Sequence, residues 1–299
     1  MKQLIWACAA AVMWFGASAG PTKSADTVFI AGDFAGQLTP CGCVKPMVGG
    51  VLRLATAVRS LNKGSRSLFV VNGAVTKTAD RQSELKAEAL GELLGNLNCD
   101  ALAPSEFDRS LGEPLWESVS RLSKGVVQLG GVRKVKGVDI AVAGPNRPIA
   151  SITSQDWTIL LWDGDLASLK SQLPKSHGKV LAIVRAATRP QKPEQIRKGF
   201  WAVSPGEKGK FLLSVGLAKG SIGKFGIVEL GPQFADDPAA MKIMGRYLAR
   251  VQAEQLLERM PRLDSAEYVG SNACYGCHES SNLVWQKSAH AQALTTLEK

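Results

Sequence analysis

Short runs that are almost continuously apolar alternate along most of this chain with segments of helical period, and this alternation restricts the fold more than any other feature. Thr27-Val28-Phe29-Ile30-Ala31, Ser67-Leu68-Phe69-Val70-Val71 and Lys179-Val180-Leu181-Ala182-Ile183-Val184 read as strands. So do Thr158 to Trp162, Phe211 to Val215 and Phe225 to Glu229. A strand that is apolar on both sides must be covered on both sides, which is the condition of a parallel or mixed sheet between other layers. Between the strands, Val51 to Leu61 places Leu52, Ala55, Val58 and Leu61 on one helical stripe, and Ser83 to Leu97 has a similar period. The expected fold class is α/β, a layered sandwich, with no internal repeat.

A long helix follows the body. Asp237 suits an N-cap and Pro238 the first helical position, and Met241, Met244, Leu248 and Val251 share a face. The helix is expected to end near Met260-Pro261 and to lead into a small C-terminal helical segment. The expected division is a leader over 1–19, an α/β body over 20–232, a linker helix over 233–264 and a terminal segment over 265–299.

The leader begins Met1-Lys2-Gln3, runs apolar from Leu4 to Phe15 and closes on Ala17-Ser18-Ala19. A charged start, a short apolar stretch and an A-x-A site describe a secretory signal peptide, and a membrane anchor would need about 20 apolar residues. Cleavage after Ala19 predicts a periplasmic or otherwise extracytoplasmic protein that does not span a membrane. The formal net charge is +10, yet the lysines and arginines are scattered and not interleaved with aromatics. A solvated basic surface fits better than a nucleic-acid site.

Ala273-Cys274-Tyr275-Gly276-Cys277-His278 contains C-x-x-C-H, the attachment signature of c-type haem. Two thiols add to the haem vinyl groups, and the adjacent imidazole of His278 reaches the iron. A redox dithiol beside an incidental histidine, or half of a zinc site, are the other readings. Zinc needs two further ligands, and His290 alone is nearby. One covalent haem c is therefore expected. The flanking Tyr268 to Cys274 and Trp285 to Ala293 resemble the first haem-binding unit of the multihaem cytochrome c family, the cytochrome c-552/4 type. That resemblance implies a distal iron ligand at His290, to this haem or to one in a partner. Ligation to no haem, on a helix surface, is the alternative.

The body resembles the calcineurin-like metallophosphatases, in particular periplasmic 5'-nucleotidase-like proteins. Gly32-Asp33-Phe34-Ala35-Gly36 stands where that family has D-x-H-G, Val71-Asn72-Gly73-Ala74 where it has G-D, and Ala103-Pro104-Ser105-Glu106-Phe107-Asp108 where it has G-N-H-E-F-D. Gly220 to Gly226 resembles the closing strand segment. The resemblance implies a two-metal phosphoesterase site, with ions about 4 Å apart in a cage of carboxylates, imidazoles and amides. At the matching positions stand Ala35, Ala74, Pro104 and Ser105, and only Asp33 survives. The whole chain has 3 histidines, of which His177 reads as a surface loop residue. No divalent metal pair and no phosphoesterase activity are expected.

Pro40-Cys41-Gly42-Cys43, followed by Val48-Gly49-Gly50, lies on the loop after the first strand, at the edge where α/β folds carry their sites. It resembles a P-C-G-C motif of exported nucleotidase-like proteins. A C-x-C disulfide closes a small strained ring and is reduced readily. A redox pair, a metal-thiolate site and a structural role all remain open for Cys41 and Cys43. Cys99 either joins that edge or is buried and inert. The resulting expectation is an exported c-type cytochrome that transfers electrons through one haem to a redox partner protein, another cytochrome being one candidate. Thiol or haem oxidoreductase is the enzymatic form of that reading, and a docking module of a cytochrome complex is the rival.

Overall fold

The computed structural model describes residues 25–40, 46–61, 66–125, 128–185, 187–259, 269–270 and 272–297. The expected leader lies outside the described residues. The chain forms two compact units, Met1–Glu254 and Gln255–Lys299.

The first unit opens with β1 (Thr27–Gly32), α1 (Val51–Leu61), β2 (Ser67–Asn72), α2 (Arg81–Asn96) and β3 (Ala101–Ala103). Two helices follow, α3 (Glu106–Arg109) and α4 (Glu113–Leu122), then β4 (Gly131–Val135), β5 (Val138–Ala143), β6 (Ser151–Ile152) and β7 (Trp157–Trp162). The remainder is α5 (Leu166–Ser171), β8 (Lys175–Ser176), β9 (Lys179–Ile183), β10 (Gln191–Arg197), β11 (Phe200–Ser204), β12 (Phe211–Leu217), β13 (Ile222–Glu229) and α6 (Pro238–Ala253).

These strands build a 5-stranded sheet, ordered β13-β12-β1-β2-β3, and a 6-stranded sheet, ordered β10-β11-β9-β7-β5-β4. In the first sheet β1, β2 and β3 are paired in parallel, whereas β12 pairs antiparallel with both β1 and β13; in the second, β11, β9, β7 and β5 are paired in parallel and the edge strands β10 and β4 are antiparallel. Val28, Ile30, Leu68 and Val70 of one sheet meet Ile140, Ile159, Leu161 and Leu181 of the other in a shared core. Alternate residues of the second sheet, Leu160, Trp162, Val180 and Phe200, turn outward and pack with Leu169 of α5. Both faces of β2 and β7 are therefore buried, the reason their sequences show no polar alternation. The layered α/β fold expected from the sequence is the one observed.

Helix α6 starts as expected, with the Asp237 carboxylate accepting from the amides of Ala239 and Ala240. It differs from expectation in two respects. It ends at Ala253, and it packs against α1 and α2 inside the first unit. Its buried face is Ala240, Ile243, Met244, Tyr247 and Val251, whereas Met241 and Leu248 of the expected stripe face solvent.

The second unit carries α7 (Asn272–Tyr275), α8 (Glu279–Gln286), a 3-10 turn (Ala289–Gln292) and α9 (Ala293–Leu297). No residue of α7 or α8 is buried, and Val284 and Trp285 are exposed. No described helix is long and apolar enough to cross a membrane.

Candidate functional site: a salt-bridged cavity at the strand ends

Strands β1, β2 and β3 of one sheet, and β7 and β9 of the other, deliver the segments beyond their C-terminal ends to one place. Asp33 follows β1, Gly73 to Thr76 follow β2, and Pro104 and Ser105 follow β3. Asp163 follows β7, and Arg185 lies just past β9. A cavity of about 530 Å³ opens there, lined by Asp33, Ala35, Gln37, Ala74, Thr76, Lys77, Ser105, Phe107, Arg185, Glu207 and Lys208. This is the edge at which α/β sheets place their ligands.

The loop after β1 is held in an unusual conformation. Asp33 and Ala35 both have φ of +49°, a left-handed geometry that costs side-chain-bearing residues about 1 kcal/mol or more each. Hydrogen bonds impose it: the amides of Asp33, Ala35 and Gly36 donate to the carbonyls of Asn72, Ala74 and Val75 at 3.0, 2.9 and 2.9 Å. Gly73, at φ +121°, lets the two loops close up, because a Cβ there would sit 2.9 Å from the Asp33 nitrogen and 3.2 Å from Arg185 Nε.

Arg185 is the organising cation. One Nη lies 3.5 Å from an Asp33 carboxylate oxygen, and the other bonds the Asp163 carboxylate. Arg109 reaches the second Asp163 oxygen at 3.1 Å, and the Glu106 amide donates to that same oxygen. Arg185 Nε is buried without a hydrogen-bond partner among the described residues. Burial pushes the Asp33 carboxyl above the usual carboxylate range, although the Arg185 guanidinium opposes the rise. Burial likewise lowers the proton affinity of Arg109, against the attraction of Asp163.

Asp108 holds the wall of the cavity. Its buried carboxylate accepts from Val75 N, Thr76 N, Thr76 Oγ1, Ser105 N and Ser105 Oγ, all within 2.8–2.9 Å. A carboxylate with that many donors fixes the β2 and β3 loops against each other.

These residues do not fit a two-metal centre. Ala35 and Ala74 offer no donor atom, Ser105 Oγ is spent on Asp108, and Asp33 and Asp163 are both engaged by Arg185. No group of three or more His, Cys, Asp or Glu among the described residues could hold a metal ion.

Several residues singled out in the sequence are brought together here: Asp33, Ala35, Ala74 and Ser105 line one cavity. Asp163, Arg185 and Lys208 were not anticipated, for they sit on no motif and meet only through the pairing of distant strands. Cys41 and Cys43 lie outside the described residues. Their flanks are pinned, with Val51 N donating to Leu38 O at 2.9 Å. Cys99 lies at the opposite, N-terminal edge of β3, buried, its Sγ directed at the carbonyls of Phe69 and Ala101. Burial pushes its thiol well up. His177 is exposed. In the second unit Cys274 and Cys277 are exposed free thiols, and the His278 amide donates to Cys274 O at 3.0 Å, so both belong to one turn. His290 is exposed on the 3-10 turn.

No protein-family model and no curated protein matches the chain. Solved structures do match its fold. The sulfate thiohydrolase SoxB of Thermus thermophilus, solved with glycerol, is similar at a TM-score of 0.55 and 15% identity over 78% of this chain and 62% of that one. A 5'-nucleotidase precursor from the same organism gives 0.55 at 18% identity, over 76% of this chain and 59% of that one. The NAD nucleotidase of Haemophilus influenzae gives 0.55 at 11% identity, over 76% of this chain and 60% of that one. This chain thus spans less than two thirds of each of these proteins. At such identities the likeness is one of fold, and it supports the metallophosphatase-like body. It gives no support to a cytochrome c domain or to the P-C-G-C group. The expectation that the chain is a c-type cytochrome, or a docking module of a cytochrome complex, with electron transfer as its function is overturned. The portion matched, 76–78% of the chain, has the fold of these nucleotidase and thiohydrolase structures and not that of a cytochrome.

Proposed function

We propose that this protein is a ligand-binding protein on a metallophosphatase-like fold, which holds a small oxyanion-bearing molecule without metal-dependent hydrolysis. The observation that carries the reading is the Arg185 guanidinium set between Asp33 and Asp163 at the floor of the strand-end cavity. A fixed cation takes the place of the dissociable ions that such chemistry requires. Lys77 and Lys208 line the same cavity, and Lys77 forms no ion pair among the described residues. Glu207 is shared between Lys208 and Lys210 at 3.8 Å each, which leaves the rim cationic. The similar structures are named for sulfate and nucleotide chemistry, and both substrate types carry a tetrahedral oxyanion.

Calorimetry with inorganic phosphate and inorganic sulfate tests this. Saturable one-site binding that is lost in Lys77→Ala/Lys208→Ala, with no hydrolysis of phosphate or sulfate esters in added manganese or zinc, is the expected result. Metal-dependent turnover, or no binding of either anion, overturns it.

Three narrower proposals concern other parts of the chain. Residues 1–19 act as an export signal, checked by the N-terminal sequence of the secreted protein. Cys274 and Cys277 attach one haem c with His278 as iron ligand and His290 as the candidate second, a claim about a cofactor alone, checked by acid-acetone extraction. Cys41 and Cys43 form a reversible thiol pair, checked by thiol counting across a graded redox buffer.

A further inference from the structure

We propose that the first unit carries a second binding site, for a free α-amino acid with an apolar side chain, in a cavity of about 590 Å³ walled by Val48, Pro190 and Phe211 and rimmed by Arg189, Lys210 and Glu229. It shares no lining residue with the cavity around Arg185, so the proposal does not rest on the oxyanion reading. Segments distant in the chain meet there, and the backbone ties them together. Gly49 N donates to Leu230 O at 2.8 Å, and Leu230 N to Lys210 O at 2.9 Å. Phe211 and Glu229 face each other across the β12–β13 pair, which puts their side chains on one side of the sheet. Gly206, at φ +80°, lets the segment before β10 close on β12: a Cβ there would lie 3.0 Å from Pro190 N and 3.2 Å from Phe211 Cδ2.

The charges around this apolar wall select the ligand. Arg189 and Glu229 are exposed and form no ion pair among the described residues. The Lys210 ammonium lies 3.8 Å from Glu207, a loose contact that leaves it donors to spare. A carboxylate alone would suit Arg189 and Lys210 but would meet Glu229 with like charge. An amine alone would suit Glu229 but would meet two cations. A zwitterion answers both, its carboxylate on Arg189 and Lys210 and its ammonium on Glu229, through charge-assisted hydrogen bonds. The ligand's own side chain then lies on Val48, Pro190 and Phe211 and removes apolar surface from water. The volume falls within the roughly 300–1,000 Å³ of small-molecule pockets.

Calorimetric titration of the full-length protein with L-leucine, and with compounds that each lack one of its features, tests the proposal. 4-Methylpentanoate lacks the ammonium, 3-methylbutylamine the carboxylate, and glycine the side chain. L-Leucine should bind saturably at one site, and each of the others should bind roughly ten-fold more weakly, the size of one lost charge-assisted bond or one buried apolar side chain. Arg189→Gln and Glu229→Gln should each weaken leucine roughly ten-fold and leave the thermal midpoint unchanged, because both side chains are exposed. Glu229→Gln should also bring 4-methylpentanoate level with leucine, an effect that a merely structural role would not produce. The proposal is overturned by no saturable leucine binding at millimolar concentration, by leucine affinity untouched in both variants, or by 4-methylpentanoate binding the unsubstituted protein as tightly as leucine.

Discussion

Asn72 and Ile183 belong to different sheets and are joined by a hydrogen bond of 2.7 Å from the Asn72 Nδ2 to the Ile183 carbonyl. The same amide nitrogen donates to Trp162 O at 3.1 Å. One buried side chain therefore ties the end of β2 to the ends of β7 and β9, and so sets the spacing of the two halves of the cavity. Replacing it with alanine leaves two carbonyls short of a donor in a site that water reaches poorly. Asn72→Ala should lose about 2–4 kcal/mol of unfolding free energy in urea, and oxyanion affinity with it. A loss below about 0.5 kcal/mol, on the order of a surface substitution, would mean the sheets are aligned by their apolar core alone.

Arg185 should be replaceable, in part, by an external cation. In Arg185→Ala, Asp33 and Asp163 lose their shared partner. Breaking a fully buried pair costs about 3–5 kcal/mol, and the partial exposure of Arg185 reduces this to about 2 kcal/mol. The penalty should be smallest in acid, where the Asp33 carboxyl is protonated, and should grow as pH rises. Asp33 is already above the usual carboxylate range with the guanidinium beside it, and removing the guanidinium leaves only the Ala74 backbone hydrogen bond to oppose burial. Millimolar manganese should raise the melting temperature of Arg185→Ala and leave the unsubstituted protein unchanged. No manganese effect on either would show that the two carboxylates cannot share one ion.

The face of α6 can be checked by paired substitutions. Ile243 is buried against the other helices and Met241 is 52% exposed. Ile243→Ala should cost about 2–4 kcal/mol, whereas Met241→Ala should change stability by less than about 0.5 kcal/mol. Similar effects at both positions in chemical denaturation would restore the stripe read from the sequence.

Asp80 caps α2, accepting from Ser83 N at 2.8 Å. The Thr78 hydroxyl and the Ser83 amide hold its carboxyl below the usual carboxylate range. A depressed native value means that the unfolded chain takes up the proton first. The stabilisation is thus present above the ordinary carboxylate value and is lost as pH falls through the native one. Asp80→Asn keeps a cap without a titrating group and should flatten this part of the acid limb of a stability profile. Asp80→Ala should lose about 1 kcal/mol at neutral pH. Parallel acid limbs for the Asn variant and the parent would rule out Asp80 as a source of the pH dependence.

Much of the fold could be read from local pattern because its inner strands are apolar on both faces, and the positions around Asp33 could be read from short motifs. Other parts could not. The edge strand β4 carries Arg133 and Lys134 and is almost wholly exposed, so nothing in its composition separates it from a loop. On α6, Met241 and Leu248 are as apolar as the residues that are buried, and only the position of α1 and α2 decides between them. Arg185 and Asp163 are ordinary charged residues until β7 and β9 are laid side by side. The site depends on that long-range pairing, which no local spacing encodes.

Cys99 gives the molecule an internal reporter of its own opening. Its sulfur is sealed between the β2 and β3 backbones, and burial keeps it in the unreactive thiol form. A thiol reagent supplied in excess should therefore label the exposed Cys274 and Cys277 at once, wherever they are free, and reach Cys99 only when that edge comes apart. The slow phase of labelling then measures how often the sheet opens under native conditions, with no added denaturant and no engineered probe.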